Sequence, residues 1–224
     1  PDWIVRYMVE NSLGRLWVEG HPSDDLKAEW AYYLEEAEQE ESVNAELEKI
    51  RIEYKKLNPE DIKIIDPCMG SGHILVYAFD VLMRIYESQG YTQRDAVYAI
   101  IENNLYGLDI DDRAYQLAYF AVMMKARQYN RRILNGENTC HVYAIQESNS
   151  INRAHLKYFG AGMDDIEKNA AKMQLEGLLD TLTDAKEYGS ILNVESYNWD
   201  LLRRFVAAED TDGQISMDSV GVED

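Results

Sequence analysis

Residues 66–75 of the chain read DPCMGSGHIL, from Asp66 to Leu75, and this stretch decides the fold. The residues directly before it, Ile62–Ile65, form a short apolar run that is typical of a buried strand. From His73 onward, apolar side chains recur at helical spacing until about residue 88. The sequence therefore predicts a strand, a turn that contains glycine and a helix in direct succession.

Two further apolar segments continue this alternation. LYGLDI at residues 105–110 and CHVYAIQ at residues 140–146 have the composition of buried strands. Thr92, with Asp95 three residues later, predicts the start of a helix, and Asp112 begins a strongly apolar helix. The order strand, helix, strand, helix, strand predicts an α/β fold in which crossover helices join the strands of a parallel sheet.

The flanking segments predict helical additions to this core. Residues 3–17 have helical spacing, residues 24–57 predict a long and broken helix, and residues 164–186 are helical again. The end of the chain is acidic, contains Gly and Ser, and is predicted to be disordered. We expect four regions: a helical region at 1–61, an α/β core at 62–150, a helical insertion or extension at 151–208 and an acidic tail at 209–224.

The formal net charge of -19 bears on possible partners. Ten acids and one base lie between Asp24 and Glu48, and six acids without Lys or Arg lie between Phe205 and Asp224. The remaining chain is only mildly acidic, so a DNA-binding face is not excluded, although no basic patch supports one. Two cysteines make no disulfide framework, and from the apolar pattern we expect neither a membrane span nor a signal peptide. We expect a cytoplasmic protein that does not contact membranes.

Glycines at the carboxyl end of a parallel strand let backbone amides approach a ligand, and three nucleotide-type cofactors can be compared. A P-loop requires Gly-Lys-Ser/Thr, but here His73 follows Gly72. A dinucleotide fingerprint would place its third glycine at position 75, which is Leu75. The third pattern has an acid and a proline at one strand end, then Gly-Ser-Gly, then an acid at the next strand end. This is the pattern of S-adenosylmethionine sites.

DPCMGSGHIL together with LYGLDIDDRA at residues 105–114 resembles motifs I and II of the DNA adenine methyltransferases of restriction-modification systems. The opening PDWIVRYMVENSLG at residues 1–14 resembles their motif X, and the order X, I, II is that of the gamma class. Residues 1–150 are similar to fused restriction-methyltransferases and BREX-type phage-resistance methyltransferases. The resemblance implies a truncated, doubly wound parallel sheet of the Rossmann-like class I type, S-adenosylmethionine as cofactor, and double-stranded DNA bound mostly through parts outside the chain.

The resemblance also implies roles for individual residues. Asp109 is expected to accept hydrogen bonds from the ribose hydroxyls and Ile110 to pack on the adenine ring, while Asp66 holds the methionine ammonium group. Pro1 and Ile4 are expected to border the methionine end, and Gln146 or Glu147 to contact the adenine amine. The full set of expected cofactor-binding residues is Pro1, Ile4, Asp66, Pro67, Gly70, Ser71, Gly72, Asp109, Ile110, Gln146 and Glu147. No metal site is predicted.

The motif that carries the transfer step in this family is missing from the sequence. It is an Asn/Asp/Ser-Pro-Pro-aromatic motif, whereas the four prolines of this chain are never adjacent. We therefore expect a cofactor-binding fragment that is inactive alone. One alternative is a methyltransferase-like module for assembly or regulation, with the acidic helix 24–57 as its interaction surface. A methyltransferase that acts on RNA or protein is the other. The resemblance also implies other subunits or domains of the restriction or phage-resistance system as partners.

Overall fold

The computed structural model describes residues 1–136 and 138–207 of the chain. The chain divides into two compact units, Pro1–Ile145 and Gln146–Asp224. Among the described residues, no helix is both long enough and apolar enough to cross a membrane. The predicted acidic tail at 209–224 lies outside the described residues.

A three-stranded parallel sheet forms the centre of the first unit. Its strands are β1 (Ile64–Asp66), β2 (Leu105–Asp109) and β3 (His141–Ala144), and they lie in the order β1-β2-β3. The predicted parallel sheet is thus confirmed. The carboxyl ends of β1 and β2 are neighbours, because Asp66 is the register partner of Gly107, two residues before Asp109.

The first strand begins two residues later than the sequence predicted. A 3₁₀ turn at Pro59–Asp61 precedes it, and Oδ2 of Asp61 accepts a hydrogen bond from the backbone N–H of Asn58 at 2.8 Å, which caps this turn. The Nδ2 group of the buried Asn104 donates to the carbonyl oxygen of Ile62 at 2.8 Å. Ile62 is therefore held by a side chain rather than by the strand ladder. It is buried as a strand residue would be, so its apolar character alone predicts a strand.

The crossover helices agree with the sequence prediction. They are α5 (His73–Ser88), α6 (Gln93–Ala99) and α7 (Asp112–Tyr129), and a π-helical turn, Ile100–Asn104, follows α6. The hydroxyl oxygen of Thr92 accepts a hydrogen bond from the backbone N–H of Asp95 at 3.2 Å, which confirms the predicted helix start.

The helices α5 and α7 pack on each other and on the sheet. Leu105, Gly107 and Val142 are buried on the sheet face that these helices cover, whereas Ile65 and Tyr143 on the opposite face are exposed. This alternation follows from the two-residue period of strands. A doubly wound sheet also requires helices on that opposite face, and this part of the expected fold stays a prediction.

The N-terminal part of the first unit is helical, as expected. It consists of α1 (Asp2–Val9), a π-helical turn at Glu10–Gly14, α2 (Arg15–Gly20), α3 (Asp24–Glu29) and α4 (Glu41–Tyr54). The first three run on without a break, so the predicted helix 3–17 extends to Gly20. The predicted broken helix 24–57 is two helices joined by residues 30–40. α1 packs against α5, which places the start of the chain near the turn after β1.

The second unit contains α8 (Asp165–Thr181), α9 (Ala185–Tyr188) and α10 (Trp199–Val206). A 3₁₀ turn at Arg153–Tyr158 precedes α8, and another at Gly189–Ile191 follows α9. Phe205 of α10 is fully buried and packs with Ala171 of α8 and Leu201 in a small core. The sequence pattern indicated the helical region around α8 but not α10, whose apolar stripe spans only two turns.

Candidate cofactor site

The turn after β1, residues 67–72, is called the glycine turn, and two backbone hydrogen bonds fix its course. The N–H of Met69 donates to the carbonyl oxygen of Leu108 at 3.0 Å, so the turn is attached to the last residues of β2. The N–H of Gly72 then donates back to the carbonyl oxygen of Met69 at 2.8 Å, and α5 begins. The turn therefore lies at the carboxyl edge of the sheet, where ligands bind in open α/β folds.

Asp109, at the end of β2, is bound to this turn. Its Oδ2 atom accepts a hydrogen bond from the backbone N–H of Gly70 at 2.8 Å, and its Oδ1 atom accepts one from the N–H of Asp111 at 3.0 Å. A carboxylate has about four lone-pair positions, so each oxygen can accept one more hydrogen bond. The carboxylate thus has the capacity to accept both hydroxyls of a diol.

Asp66, at the end of β1, is a buried acid, with 8% of its surface exposed. Its Oδ1 atom accepts a hydrogen bond from the backbone N–H of Cys68 at 3.2 Å. Burial raises the pKa of Asp66; the Cys68 hydrogen bond opposes this, and the negative charge of Asp109 raises the pKa further. Among the described residues no ion pair includes Asp66 or Asp109. A bound cation would therefore relieve the electrostatic cost of two neighbouring acids.

The two glycines of the turn have backbone conformations that side chains disfavour. Gly70 has φ +52° and open space where a Cβ atom would be, so its backbone is accessible. Gly72 has φ +81°, and a Cβ atom there would lie 3.0 Å from the Cβ atom of Ala118 in α7. Gly70 thus leaves room for a ligand, while Gly72 allows α7 to pack against the start of α5.

Gly107 in β2 belongs to the site, although it is not among the residues expected from the sequence. A Cβ atom at this position would lie 2.5 Å from Sδ of Met69 and 2.7 Å from Cδ1 of Leu75. Both are residues of the glycine turn or of α5, so the missing side chain lets the turn and the helix lie on the sheet. A glycine inside a predicted strand is a signal of close backbone approach, and it was visible in LYGLDI.

The remaining residues of motifs I and II lie at the surface of this site. Pro67 and Ser71 are exposed in the glycine turn, and Ile110, directly after Asp109, has 48% of its surface exposed. An exposed isoleucine beside the acid of β2 is available to cover one face of a flat ring. The structure therefore brings Asp66, the glycine turn and the residues at 109–110 together at one edge of the sheet.

The start of the chain lies beside the first turn of α5. Pro1 lines a cavity of about 480 Å³ together with Arg6, His73 and Tyr77. His73 directly follows the glycine turn, so Pro1 lies near that turn, and its contact with the methionine end of the cofactor stays a prediction. Ile4 is partly exposed on α1 and does not line this cavity, so its expected role stays a prediction.

Gln146 and Glu147 follow β3 and belong to the second unit. The Oε1 atom of Glu147 accepts a hydrogen bond from the backbone N–H of Lys186 at 3.1 Å, which attaches it to the start of α9. The contact of either residue with an adenine amine stays a prediction.

Sequence comparison relates this chain to known methyltransferases. The sequence profile of the family described as the MmeI DNA-methyltransferase domain matches residues 35–156, which include the glycine turn and both acids. The adenine-specific methyltransferase PglX of Lacticaseibacillus casei (strain Zhang) is 40% identical to this chain over an alignment of 230 positions. This alignment covers 97% of the chain and 18% of PglX. The adenine-specific methyltransferase BrxX of Escherichia coli O9:H4 (strain HS) is 49% identical over 148 residues, which cover 66% of this chain and 12% of BrxX. The chain thus spans less than a fifth of the length of either relative.

Proposed function

We propose, from the premise that the chain belongs to the family of the MmeI DNA-methyltransferase domain, that it is the S-adenosylmethionine-binding portion of a DNA adenine-N6 methyltransferase. The whole enzyme would act in a restriction-modification or phage-resistance system. The observation that carries the proposal is the pair Asp66 and Asp109, which end neighbouring parallel strands and flank one glycine turn. The similarity to PglX and BrxX, both named as adenine-specific methyltransferases, supports the reaction class.

The chemical groups of S-adenosylmethionine fit the donors and acceptors of this site. Its sulfonium group supplies an activated methyl group for transfer. Asp66, a buried acid without a cationic partner among the described residues, suits the ammonium group of the methionine part. Asp109 retains one acceptor position on each oxygen for the ribose hydroxyls, and the exposed Ile110 can cover the adenine ring.

The chain supplies the cofactor side of the reaction rather than the target side. Methylation of a base amine requires the base to leave the helical stack and enter a pocket that positions the amine. The sequence contains no Pro-Pro-aromatic triplet to form that pocket, and it contains no basic patch that would bind a phosphate backbone. Duplex DNA is therefore bound mainly by other parts of the enzyme, and methyl transfer from labelled cofactor to duplex DNA by this chain alone should not exceed background.

Calorimetric titration with S-adenosylmethionine and S-adenosylhomocysteine tests the proposal. We expect the unchanged chain to bind both compounds and Asp109→Ala to bind at least tenfold more weakly, because hydrogen bonds to a charged group are lost. Asp200→Ala is the matched control, since this aspartate of α10 has 93% of its side chain exposed. A folded chain that binds neither compound would refute the proposed function.

The alternative of an assembly or regulatory module has one observation in its favour. None of the residues of α4 is buried, and its exposed residues include Val43, Ile50 and Ile52 as well as the acids. Apolar side chains on an exposed helix are typical of an interaction surface. The two functions differ in the titration above, because a module without a cofactor role does not need to bind S-adenosylmethionine.

A further inference from the structure

A fully buried carboxyl group lies outside the set of expected cofactor residues. Glu10, in the π-helical turn after α1, has no exposed surface. Its Oε1 atom accepts a hydrogen bond from the hydroxyl of Tyr77 at 2.6 Å, and its Oε2 atom accepts one from the backbone N–H of Tyr32 at 2.7 Å. Because a buried polar group without partners is costly, these two hydrogen bonds determine where the side chain lies.

The second of these bonds belongs to a set that holds Tyr32 and Leu34, in the 30–36 segment, beside the π-helical turn. The Nδ2 group of Asn11 donates to the carbonyl oxygen of Tyr32, and its Oδ1 atom accepts from the N–H of Leu34, both at 2.8 Å. The guanidinium group of Arg15 donates to the carbonyl oxygen of Leu34 at 2.6 Å. Side chains of the stretch ENSLGR thus satisfy the backbone of this extended segment as a neighbouring strand would.

The first bond connects Glu10 to the wall of the cavity beside the glycine turn. Tyr77 lies one turn after His73 in α5, and both line the cavity with Pro1 and Arg6. The guanidinium carbon of Arg6 lies 5.2 Å from the centre of the Tyr77 ring. Burial, together with the hydrogen bond to Glu10, raises the pKa of Tyr77, so its hydroxyl remains a donor at neutral pH.

We propose that Glu10 is a positioning residue for the cofactor site. Its carboxyl group joins the π-helical turn that continues α1 to α5 and to the 30–36 segment. It thereby holds α1, whose first residues lie beside the first turn of α5, against that helix. The methionine part of the cofactor is expected at this place, so the inference rests on the proposed function. This role requires that the side chain at position 10 make both hydrogen bonds, to Tyr32 and to Tyr77. It does not require a negative charge at this position.

Titration with S-adenosylhomocysteine of four chains tests this inference: the unchanged chain, Glu10→Ala, Glu10→Gln and Tyr77→Phe. Glu10→Ala should weaken binding about tenfold, which corresponds to about 1.4 kcal/mol, and Tyr77→Phe should weaken it in the same direction. Glu10→Gln should bind within about threefold of the unchanged chain, because its amide oxygen can accept from Tyr32 and its NH₂ group can donate to Tyr77. Hydrogen exchange of the cofactor-free chain should be faster at residues 2–9 in Glu10→Ala.

Asn104→Ala separates positioning from stability. Asn104 is also fully buried and makes three hydrogen bonds, with Tyr86 and with the carbonyl groups of Pro59 and Ile62, but it lies before β2, at the sheet edge opposite the site. We expect Asn104→Ala to lower the Tm while it leaves the affinity within about twofold. Unchanged affinity in Glu10→Ala, or an equal loss in Asn104→Ala, would overturn the inference. If the folded, unchanged chain does not bind at all, the proposed function itself fails, and the inference fails with it.

Discussion

The backbone N–H of Gly70 donates a hydrogen bond of 2.8 Å to Oδ2 of Asp109, so the turn after β1 is attached to the acid that ends β2. The same carboxylate is the proposed acceptor for the ribose of the cofactor. Ribose binding and the conformation of the glycine turn therefore share one group. A ligand that contacts Asp109 should stabilise the glycine turn, and a distortion of this turn should lower the affinity for the ligand.

Replacement of Gly70 by alanine tests this connection. Gly70 has φ +52° and open space around it, so Gly70→Ala should cost about 1–2 kcal/mol of folding free energy through the backbone alone. Gly90→Ala is the matched control, because Gly90 has φ +85°, is equally open and lies between α5 and α6. Both variants should lose similar stability in urea denaturation, but only Gly70→Ala should bind S-adenosylhomocysteine more weakly. Equal affinities in the two variants would contradict the connection.

Gly107→Ala should destabilise the fold by overpacking. The added methyl group would lie 2.5 Å from Sδ of Met69 and 2.7 Å from Cδ1 of Leu75, and displacement of both side chains is expected to cost about 1–3 kcal/mol. Gly177→Ala should instead stabilise the fold, because Gly177 lies inside α8, where alanine is favoured. A Cβ atom at this position would lie 3.5 Å from the hydroxyl oxygen of Tyr197, which is an ordinary contact. Urea denaturation of both variants provides the measurement. A stable Gly107→Ala chain would mean that the turn can move away from β2 without penalty.

Asp66 should make the cofactor-free chain less stable as the pH rises. Its pKa is raised in the folded state by burial, so the folded chain binds the proton more tightly than the unfolded chain does. Stability therefore falls between the unfolded pKa, about 3.9, and the raised folded pKa, and the loss persists at higher pH. Asp66→Asn should remove this loss, raise the Tm at pH 7 and abolish binding of the methionine ammonium group.

Thermal denaturation from pH 4 to pH 7, with and without S-adenosylhomocysteine, measures the effect of Asp66. The ligand should stabilise the unchanged chain and have little effect on Asp66→Asn. Asp95→Asn is a suitable comparison, because this acid lies in the exposed first turn of α6. An Asp66→Asn chain that is less stable than the unchanged chain at pH 7 would show that the carboxylate already has a compensating partner.

The main elements of the core could be predicted because local patterns and tertiary contacts agree there. The apolar run before Asp66, the helical spacing after His73 and the cap at Thr92 each specify an element without distant information. The start of β1 could not be predicted, because Asn104 binds the carbonyl group of Ile62 from a position 42 residues away. The course of residues 30–36 likewise depends on side chains of the preceding helix.

The two acids of the candidate site could be predicted from the sequence, whereas the contacts that hold them could not. The positions of Asp66 and Asp109 at the strand ends follow from motif and topology together. The hydrogen bond between Asp109 and Gly70 joins residues 39 positions apart and has no pattern in the sequence. Glu10 was hidden for a related reason, since a glutamate in an N-terminal helix is usually exposed and only the fold shows that this one is buried.

The two cysteines should differ strongly in reactivity, and only one should report on the cofactor. Cys68 is exposed in the glycine turn, whereas Cys140 is buried, and burial raises the pKa of Cys140 to about 12. At pH 8 only about one in ten thousand Cys140 side chains is then a reactive thiolate. Iodoacetamide should therefore modify one thiol per chain, and Cys68→Ser should remove this reaction. Saturating S-adenosylhomocysteine should slow the reaction at Cys68, since the ligand would cover the turn. Modification of both thiols at equal rates would contradict the burial of Cys140, and an unprotected Cys68 would place the ligand away from the glycine turn.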